Sequence, residues 1–414
     1  MRRFFFLLTV FFAFFAVSCP SGRSRVAVLW SDRPEFAFYV EYFNSAQDQY
    51  IIEMRYVRFP LQRLENSGEA PDIIAGSSLI NASSRLHFTP LDRHFREDGL
   101  SRASFYSALL DKGNIDGTQF LLPVSFNAPM IIFQQNNNIE ISNPFTIGFD
   151  EMQRLGADFN RVSAGTHTRM GFSPTWNDNF LFYMATLFNT SFRESAPLEW
   201  DIAPLEKAMN FAYEWNLYTN SGIQAVEDFR FRFFNSPPER LVQTGRILFT
   251  SMQSNNFFLI AEEQRNNLDF RWLAEEDNIP LAEEALYMGL VRRRGGPSRA
   301  AEAFLHWFFL TETHEYILER SFEKRLMETS FGVANGFSAL RPVTEQIFPR
   351  FYPSLLGHIP PADFFIPANI LPADWVEMKD RLVLPFLRDR ARQPDSENVI
   401  PLERRLADWM RVSR

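Results

Sequence analysis

Short apolar strands alternate with an amphipathic helix near the start of the chain, and this alternation constrains the fold more than any other sequence feature. Strand, helix, strand and a further strand after a crossover are typical of a parallel sheet covered by helices. We therefore predict an α/β fold. The elements are a strand at 26–30, a helix with Phe36, Val40 and Phe43 on its apolar face, a strand at 50–57, and a short buried strand at 71–76 that ends in small residues.

A second informative stretch lies at 119–135. Two extended apolar runs are joined there by Asn127, Ala128 and Pro129, which predicts a segment that crosses from one lobe of the protein to another. Helices dominate the rest of the chain. One is predicted to open with Ser173 as N-cap, and a short strand is predicted at 246–250, before a polar segment at 251–255.

Length and composition favour two packed domains. The chain has 414 residues, which exceeds the roughly 250–300 residues at which a single core stops growing. Hydrophobic residues make up 46% and aromatic residues 15%, so large packed cores are possible. The net charge of −8 and the lack of long basic runs argue against nucleic acid or an anionic membrane surface as the partner. We expect a monomer.

The N-terminal segment has the pattern of an export signal. Arg2 and Arg3 precede an apolar run at 4–17, which is too short to span a membrane but long enough for a signal peptide. Residues 16–19 read Ala-Val-Ser-Cys, similar to a lipobox, although Ala16 stands where bacterial lipoproteins usually have Leu. Cys19 is the only cysteine in the chain. We predict a signal peptide over 1–18 and lipidation of Cys19, which would hold the mature protein at the outer face of a bacterial membrane. Ordinary cleavage with a free thiol, or an uncleaved anchor, are the alternatives.

The motifs of common enzymes and metal sites are absent from the sequence. The chain has no phosphate-binding glycine loop, no H-E-x-x-H and no G-x-S-x-G elbow. Six histidines are scattered, and we expect His94, among acidic residues, to lie in a solvated loop. We therefore predict no catalytic residue, no cofactor and no metal site.

Polar and aromatic residues meet at the ends of several predicted elements. Ligands of parallel α/β sheets bind beyond the carboxyl ends of strands and at helix N-termini. A flat aromatic face and short hydrogen-bonding side chains suit a neutral polyhydroxylated ligand. For each tryptophan, core packing is the alternative. The four segments with this character are 30–32, 76–78, 173–177 and 251–255.

Several of these segments together resemble the extracellular solute-binding protein family 1, the sugar-type binding proteins of ABC importers. PDIIAGSSL at 71–79 resembles the family's first cleft loop, and LLPVSFNAPMIIF at 121–133 resembles the crossover between its lobes. GRILFTSMQSN at 245–255 resembles another cleft segment. AEAFLHWFFLTETHEYIL is similar to its late N-lobe helix pair, and FGVANGFSALRPV to the re-entry into the second lobe.

The resemblance implies a two-lobed periplasmic binding protein-like fold of type II with a hinge between the lobes. The N-terminal lobe would comprise 24–126 and 286–322, and the C-terminal lobe 127–285 and 323–414. The protein would capture a small solute, a sugar or an oligosaccharide, and deliver it to an importer permease. Phe337 stands near an expected contact of the second lobe. Carried over position by position, the ligand-binding candidates are Trp30, Ser31, Ser77, Ser78, Asn127, Trp176, Asn177, Met252, Ser254 and Asn255.

Two other functions remain open from the sequence. One is a secreted carbohydrate-active hydrolase that uses carboxylates in a cleft. The other is a lipoprotein of the same fold that senses or adheres instead of transporting. Turnover of an oligosaccharide would favour the hydrolase.

Overall fold

The computed structural model describes residues 25–412 apart from Ala82, Glu97, Asp98, Asn138 and Asp395. The predicted signal peptide at 1–18 and Cys19 lie outside the described residues. No helix in the described part of the chain combines the length and the apolar character needed to cross a membrane.

Ten strands form the two larger sheets. In chain order they are β1 (Val26–Ser31), β2 (Ile51–Tyr56), β3 (Ile73–Gly76), β4 (Leu122–Phe126), β5 (Pro129–Gln134), β6 (Thr146–Ile147), β7 (Thr250–Gln253), β8 (Leu268–Leu273), β9 (Leu286–Leu290) and β10 (Phe337–Ser338).

The longer helices cover these sheets. They are α1 (Phe36–Ala46), α2 (Pro60–Ser67), α3 (Phe149–Phe159), α4 (Asp178–Leu187), α5 (Ile202–Thr219), α6 (Ile223–Phe233), α7 (Arg299–Phe308), α8 (Thr311–Glu323), α9 (Leu384–Arg392) and α10 (Leu402–Val412).

The first sheet has six strands in the order β10-β4-β9-β3-β1-β2. Strands β1, β2 and β3 are parallel, as the sequence predicts, while β9, β4 and β10 add antiparallel pairs, so the sheet as a whole is mixed. Helix α1 packs on it through Phe36, Tyr39, Val40 and Phe43, which recur at helical spacing and are all buried.

The second sheet has four strands in the order β7-β5-β8-β6. Strand β5 lies between β7 and β8 and is antiparallel to both. Its side chains alternate between two cores: Met130 and Ile132 join the cluster that continues from the first sheet, while Ile131 and Phe133 join a cluster formed with α3, α4, α5 and α9. Two sheets, each with its own helices, give the predicted two-lobed α/β architecture.

The chain crosses between the sheets at three places. The first crossing joins β4 to β5 through Asn127, as the segment at 119–135 predicts. The second runs from 279 to 285 and leads into β9. In the third, the chain leaves the first core after Phe365 and enters the second core at Leu371. The second and third crossings lie side by side, since Ile279–Pro280 and Phe365–Ile366 form a small parallel pair.

Two predicted elements differ from the structure in their bounds. The helix expected to open at Ser173 is divided: Ser173 caps a single 3-10 turn, and Asn177 then caps α4 with its own side chain. The strand expected at 246–250 lies instead at Thr250–Gln253, where it pairs with β5.

The expectation that His94 lies in a solvated loop is wrong. His94 is 6% exposed, and its Nδ1 lies 2.8 Å from Nε2 of His306 on α7. A charged local sequence does not reveal a histidine partner more than two hundred positions away.

The expected place of Phe337 in the second lobe is also wrong. Strand β10 pairs with β4, so Phe337 is a buried residue of the six-stranded sheet. The rest of the predicted lobe boundaries stays a prediction.

Candidate functional site

Asn127 connects the segments that meet at the crossing between the lobes. Its side-chain Nδ2 donates to the carbonyl of Asn335 at 2.9 Å, and its Oδ1 accepts from Oγ of Ser254 at 2.7 Å. Its own carbonyl accepts from the backbone N–H of Ala282 at 2.8 Å. One amide side chain and its peptide group thus bind four parts of the chain together, and Asn127 is a structural residue of the hinge.

Ser254 completes this connection. Its side chain is fully buried, and its backbone N–H donates to the carbonyl of Ala128 at 3.0 Å. The backbone N–H of Ala128 in turn donates to Oγ of Ser254 at 3.3 Å. The Ser254 hydroxyl therefore both donates and accepts a hydrogen bond within the hinge.

A cavity of about 190 Å³ lies between the two lobes beside this hinge. The first lobe contributes Arg33 and Ser125, and the second lobe contributes amides and an ammonium group. Glu283 and Glu284 come from the second crossing. The residues from the second lobe are Asn179, Gln253, Asn255 and Lys379.

Glu283 and Lys379 form a buried ion pair in this cleft. Lys379 Nζ lies 3.0 Å from both carboxylate oxygens of Glu283. The two side chains are only 4% and 13% exposed. Lys379 Nζ also lies 4.4 Å from the ring centroid of Phe182. This pair joins the second crossing to the C-terminal segment, and Glu283 lines this cavity as well as two neighbouring cavities of about 40 Å³ and about 530 Å³.

Gln253 presents an unused hydrogen-bond acceptor in the cleft. Its Nε2 donates to the hydroxyl of Tyr183, a buried group whose pKa is raised well above its ordinary value by burial. Its Oε1 is buried and has no partner among the described residues. A buried amide oxygen without a partner costs free energy until a donor binds it. A ligand hydroxyl is such a donor.

Asp32 lies where β1 and β3 end. Its Oδ2 accepts from the backbone N–H of Ser77 at 3.1 Å and from the Ser77 hydroxyl at 2.6 Å. Burial raises the pKa of Asp32 despite these bonds, and its Oδ1 has no hydrogen-bond partner among the described residues. Ser77 is thus held by Asp32. The adjacent Ser78 lines a small cavity of about 40 Å³ that also contains Glu283.

Trp30 and Ser31 are buried in the first lobe and line no cleft cavity. Trp30 is 2% exposed in a small apolar cluster, and the guanidinium of Arg63 lies 5.4 Å from its ring centroid. Ser31 is fully buried, and its Oγ accepts from the backbone N–H of Arg33. Core packing, the alternative considered for Trp30, describes its position.

Trp176 and Asn177 also have structural partners. Trp176 is partly buried and stacks on Phe229 with a centroid separation of 5.8 Å. Asn177 caps α4 through Oδ1, and its Nδ2 donates to the carbonyl of Ser251 at 3.1 Å.

Three of the ten predicted ligand-binding residues line the cleft cavities. Asn127 and Asn255 line the larger of the two, and Ser78 lines the smaller. The remaining seven line neither. A ligand-binding role for any of the ten stays a prediction. The seven are Trp30, Ser31, Ser77, Trp176, Asn177, Met252 and Ser254.

Sequence reasoning missed Gln253, Glu283 and Lys379 as cleft residues. Gln253 could have been named from the sequence, because it lies in a segment already identified as the end of an element. Glu283 and Lys379 could not, because no local pattern shows that residues 96 positions apart pair in a cleft. Across the described ranges no group of three or more His, Cys, Asp or Glu side chains is arranged to hold a metal ion.

Comparison with known proteins identifies the fold. No family model and no curated protein sequence matches the chain. Solved structures do match over nearly its whole length. The bacterial solute receptor AcbH, described as having an exclusive preference for β-D-galactopyranose, matches with a TM-score of 0.62 at 13% identity, over 94% of this chain and 97% of that one. The chain has the two-lobed fold of ABC substrate-binding proteins.

Two further neighbours carry the same fold. The sugar-binding protein MalE from Xanthomonas citri matches with a TM-score of 0.61 at 12% identity, over 94% of this chain and 100% of that one. The ABC substrate-binding protein Lmo0181 from Listeria monocytogenes, in complex with cycloalternan, matches with a TM-score of 0.59 at 12% identity, over 94% and 98%. All three are binding proteins, and all three are named for or shown with a sugar.

Proposed function

We propose that the protein is an extracytoplasmic receptor that binds a sugar or a short oligosaccharide between its lobes and delivers it to an ABC importer. The unpartnered Oε1 of Gln253 carries this proposal. Gln253 lines the same cavity as Asn179 and Asn255, so the second lobe contributes three neutral amide side chains to it. Such side chains suit hydroxyl groups better than charges.

The two lobes supply the second part of the proposal. Arg33 and Ser125 line the cavity from the first lobe, opposite the amides of the second. A ligand that contacts both walls has a higher affinity for the closed state than for the open one, so it shifts the population toward closure. The closed form would then be the one that the permease recognises.

Membrane attachment through Cys19 is a separate part of the proposal. Its support is the sequence alone: the short apolar run before the only cysteine of the chain. Incorporation of a labelled fatty acid into the protein in bacteria, and its loss in Cys19→Ser, would establish the anchor. Equal labelling of both forms would refute it.

Sugar binding is tested by isothermal titration calorimetry with maltotriose, mannotriose, cycloalternan and galactose. We expect one-to-one binding of at least one of these sugars. Gln253→Leu and Asn255→Ala should each weaken it by about tenfold to a hundredfold, since an unmade buried hydrogen bond costs roughly 1–3 kcal/mol. The matched control is Asn256→Ala, an exposed neighbour that lines no cleft cavity. Loss of affinity in the control alone would contradict the assignment.

The hydrolase alternative is tested in the same samples. Both oxygens of Glu283 are engaged by Lys379, so this carboxylate has no free oxygen for acid–base work in the present arrangement. We expect each sugar to be recovered intact after prolonged incubation, as measured by chromatography. Shorter products would favour the hydrolase.

A further inference from the structure

A second cavity, of about 530 Å³, lies in the second lobe away from the six-stranded sheet. It is enclosed by the start of α3, the end of α4, helix α5, the turn at 275–278 and both the second and the third crossing, and Glu283 is the one cleft residue named above that also lines it among the described residues. We propose that this cavity is a second binding site that takes a small organic polycation, a polyamine, independently of the sugar cleft.

Three carboxylates at the cavity lack a compensating charge. Glu275 Oε1 accepts from the backbone N–H of Phe149 at 2.6 Å and so satisfies the N-terminus of α3. Among the described residues, Asp150 and Glu276 have no ion pair and no side-chain hydrogen bond. Burial raises the pKa of Glu275, and repulsion from Asp150 and Glu276 adds to the shift. Among the described residues that line the cavity, Lys207 is the one with a basic side chain.

The walls of the cavity are aromatic. Phe188 and Phe211 are partly exposed, while Phe149, Phe182 and Phe192 are buried behind them. Ring faces beside carboxylates form the environment that binds organic ammonium groups, through cation–π attraction and ion pairing.

Two of these rings already attract ammonium groups of the chain itself. Lys207 Nζ lies 5.6 Å from the ring centroid of Phe188, and Lys379 Nζ lies 4.4 Å from that of Phe182. These contacts show that rings of the cavity wall accept ammonium groups, which is the interaction that the proposal requires. An inorganic metal ion is a poorer fit, because the described carboxylates do not form a metal-binding group.

Thr190 is an independent indication of a ligand. It lines the cavity, its side chain is only 3% exposed, and its hydroxyl has no partner among the described residues. A buried hydroxyl is normally hydrogen-bonded. An ammonium N–H would donate to this oxygen, while the carboxylates of Asp150 and Glu276 would bind other amino groups of the same extended molecule.

The size of the cavity agrees with a ligand of several heavy atoms. Small-molecule sites commonly enclose about 300–1,000 Å³, and the cavity falls inside that range. A polyamine with charges along a flexible chain can contact separated carboxylates and the intervening rings at once.

The proposal is tested by calorimetric titration of spermidine into the purified protein at low ionic strength. We expect a single site whose affinity falls at high salt, as ion pairing requires. The double variant Asp150→Asn, Glu276→Gln keeps the side-chain shapes and should weaken spermidine at least tenfold. Glu41→Gln, Asp48→Asn removes two exposed charges from the first lobe and is the matched control, expected to bind as the unchanged protein does. Thr190→Val should also weaken spermidine.

Three results would overturn the proposal. One is no binding of spermidine to the unchanged protein, and another is equal affinity in the cavity variant and the control, which would indicate nonspecific attraction. The third is loss of sugar binding in the cavity variant with spermidine unaffected, which would make the cavity an extension of the cleft. Asn255→Ala separates the two sites, since it should weaken the sugar and leave spermidine unchanged.

Discussion

Asn127 uses its side chain for the hinge and leaves little of it for a ligand. Both polar atoms of the amide are engaged, with Asn335 and Ser254, at distances typical of good hydrogen bonds. Residues at a hinge must hold the crossing segments in register while the lobes move. We therefore expect Asn127 to contribute to the stability of the folded protein.

Asn127→Ala should lower the free energy of unfolding by about 1–3 kcal/mol, because it removes the acceptor of the Ser254 hydroxyl and the side-chain donor to the Asn335 carbonyl. The measurement is urea denaturation without ligand. Asn255→Ala is the matched control, because among the described residues its side chain bonds only to the next backbone N–H, and it should leave stability nearly unchanged. Similar losses in both variants would contradict the assignment of Asn127.

The ion pair of Glu283 and Lys379 predicts a double-mutant result. Lys379→Met leaves a buried carboxylate uncompensated and should cost roughly 3–5 kcal/mol of stability. Adding Glu283→Gln should restore much of that loss, because the buried charge is then removed as well. Denaturation of the two variants measures the difference. A double variant less stable than Lys379→Met alone would argue against coupling.

At the scale of elements, a pair of histidines joins the turn Asp92–Phe95 to helix α7. Burial, with smaller contributions from His306 and Arg93, lowers the pKa of His94 to about 4. An unfolded histidine has a pKa of about 6.5. Between these values the unfolded chain binds more protons than the folded one, so stability falls as the pH falls from 6.5 to 4. Glu302 and Arg93 are the charged groups that face the pair.

We expect His94 to account for roughly 1–2 kcal/mol of the stability lost across this pH range. Denaturation at pH 7.5 and pH 5 measures the loss, which should be smaller in His94→Gln than in the unchanged protein. His87→Gln is the control, since His87 lies on the same lobe outside the pair. His314, whose pKa burial lowers to about 3, adds a loss in the same direction that both variants retain.

The elements that the sequence predicted well are those defined by local periodicity. Strands β1 to β5 and helix α1 follow from alternating or helically spaced apolar residues. The cleft was harder to predict from the sequence, because its main ion pair joins distant parts of the chain. The His94–His306 contact was unpredictable for the same reason. Several polar residues at the ends of elements bind the backbone or each other, as such residues commonly do. Ser77 and Asn177 are examples.

At the scale of the whole molecule, the three crossings divide the chain into two bodies with a cavity between them. The second and third crossings are paired, and Asn127 connects the first to the second. A hinge of this kind permits closure without unfolding either sheet. Sugar in the cleft should therefore bring the lobes together, whereas the three uncompensated carboxylates and Thr190 of the polyamine cavity all belong to the second-lobe side of the crossings.

Sugar binding in the cleft is measured by calorimetric titration of the sugar panel into the unchanged protein, Gln253→Leu and Asn256→Ala. We expect one-to-one binding to the unchanged protein and to Asn256→Ala, with affinity about tenfold to a hundredfold weaker in Gln253→Leu. Equal sugar affinity in all three proteins, or no binding of any sugar in the panel, would contradict the proposal.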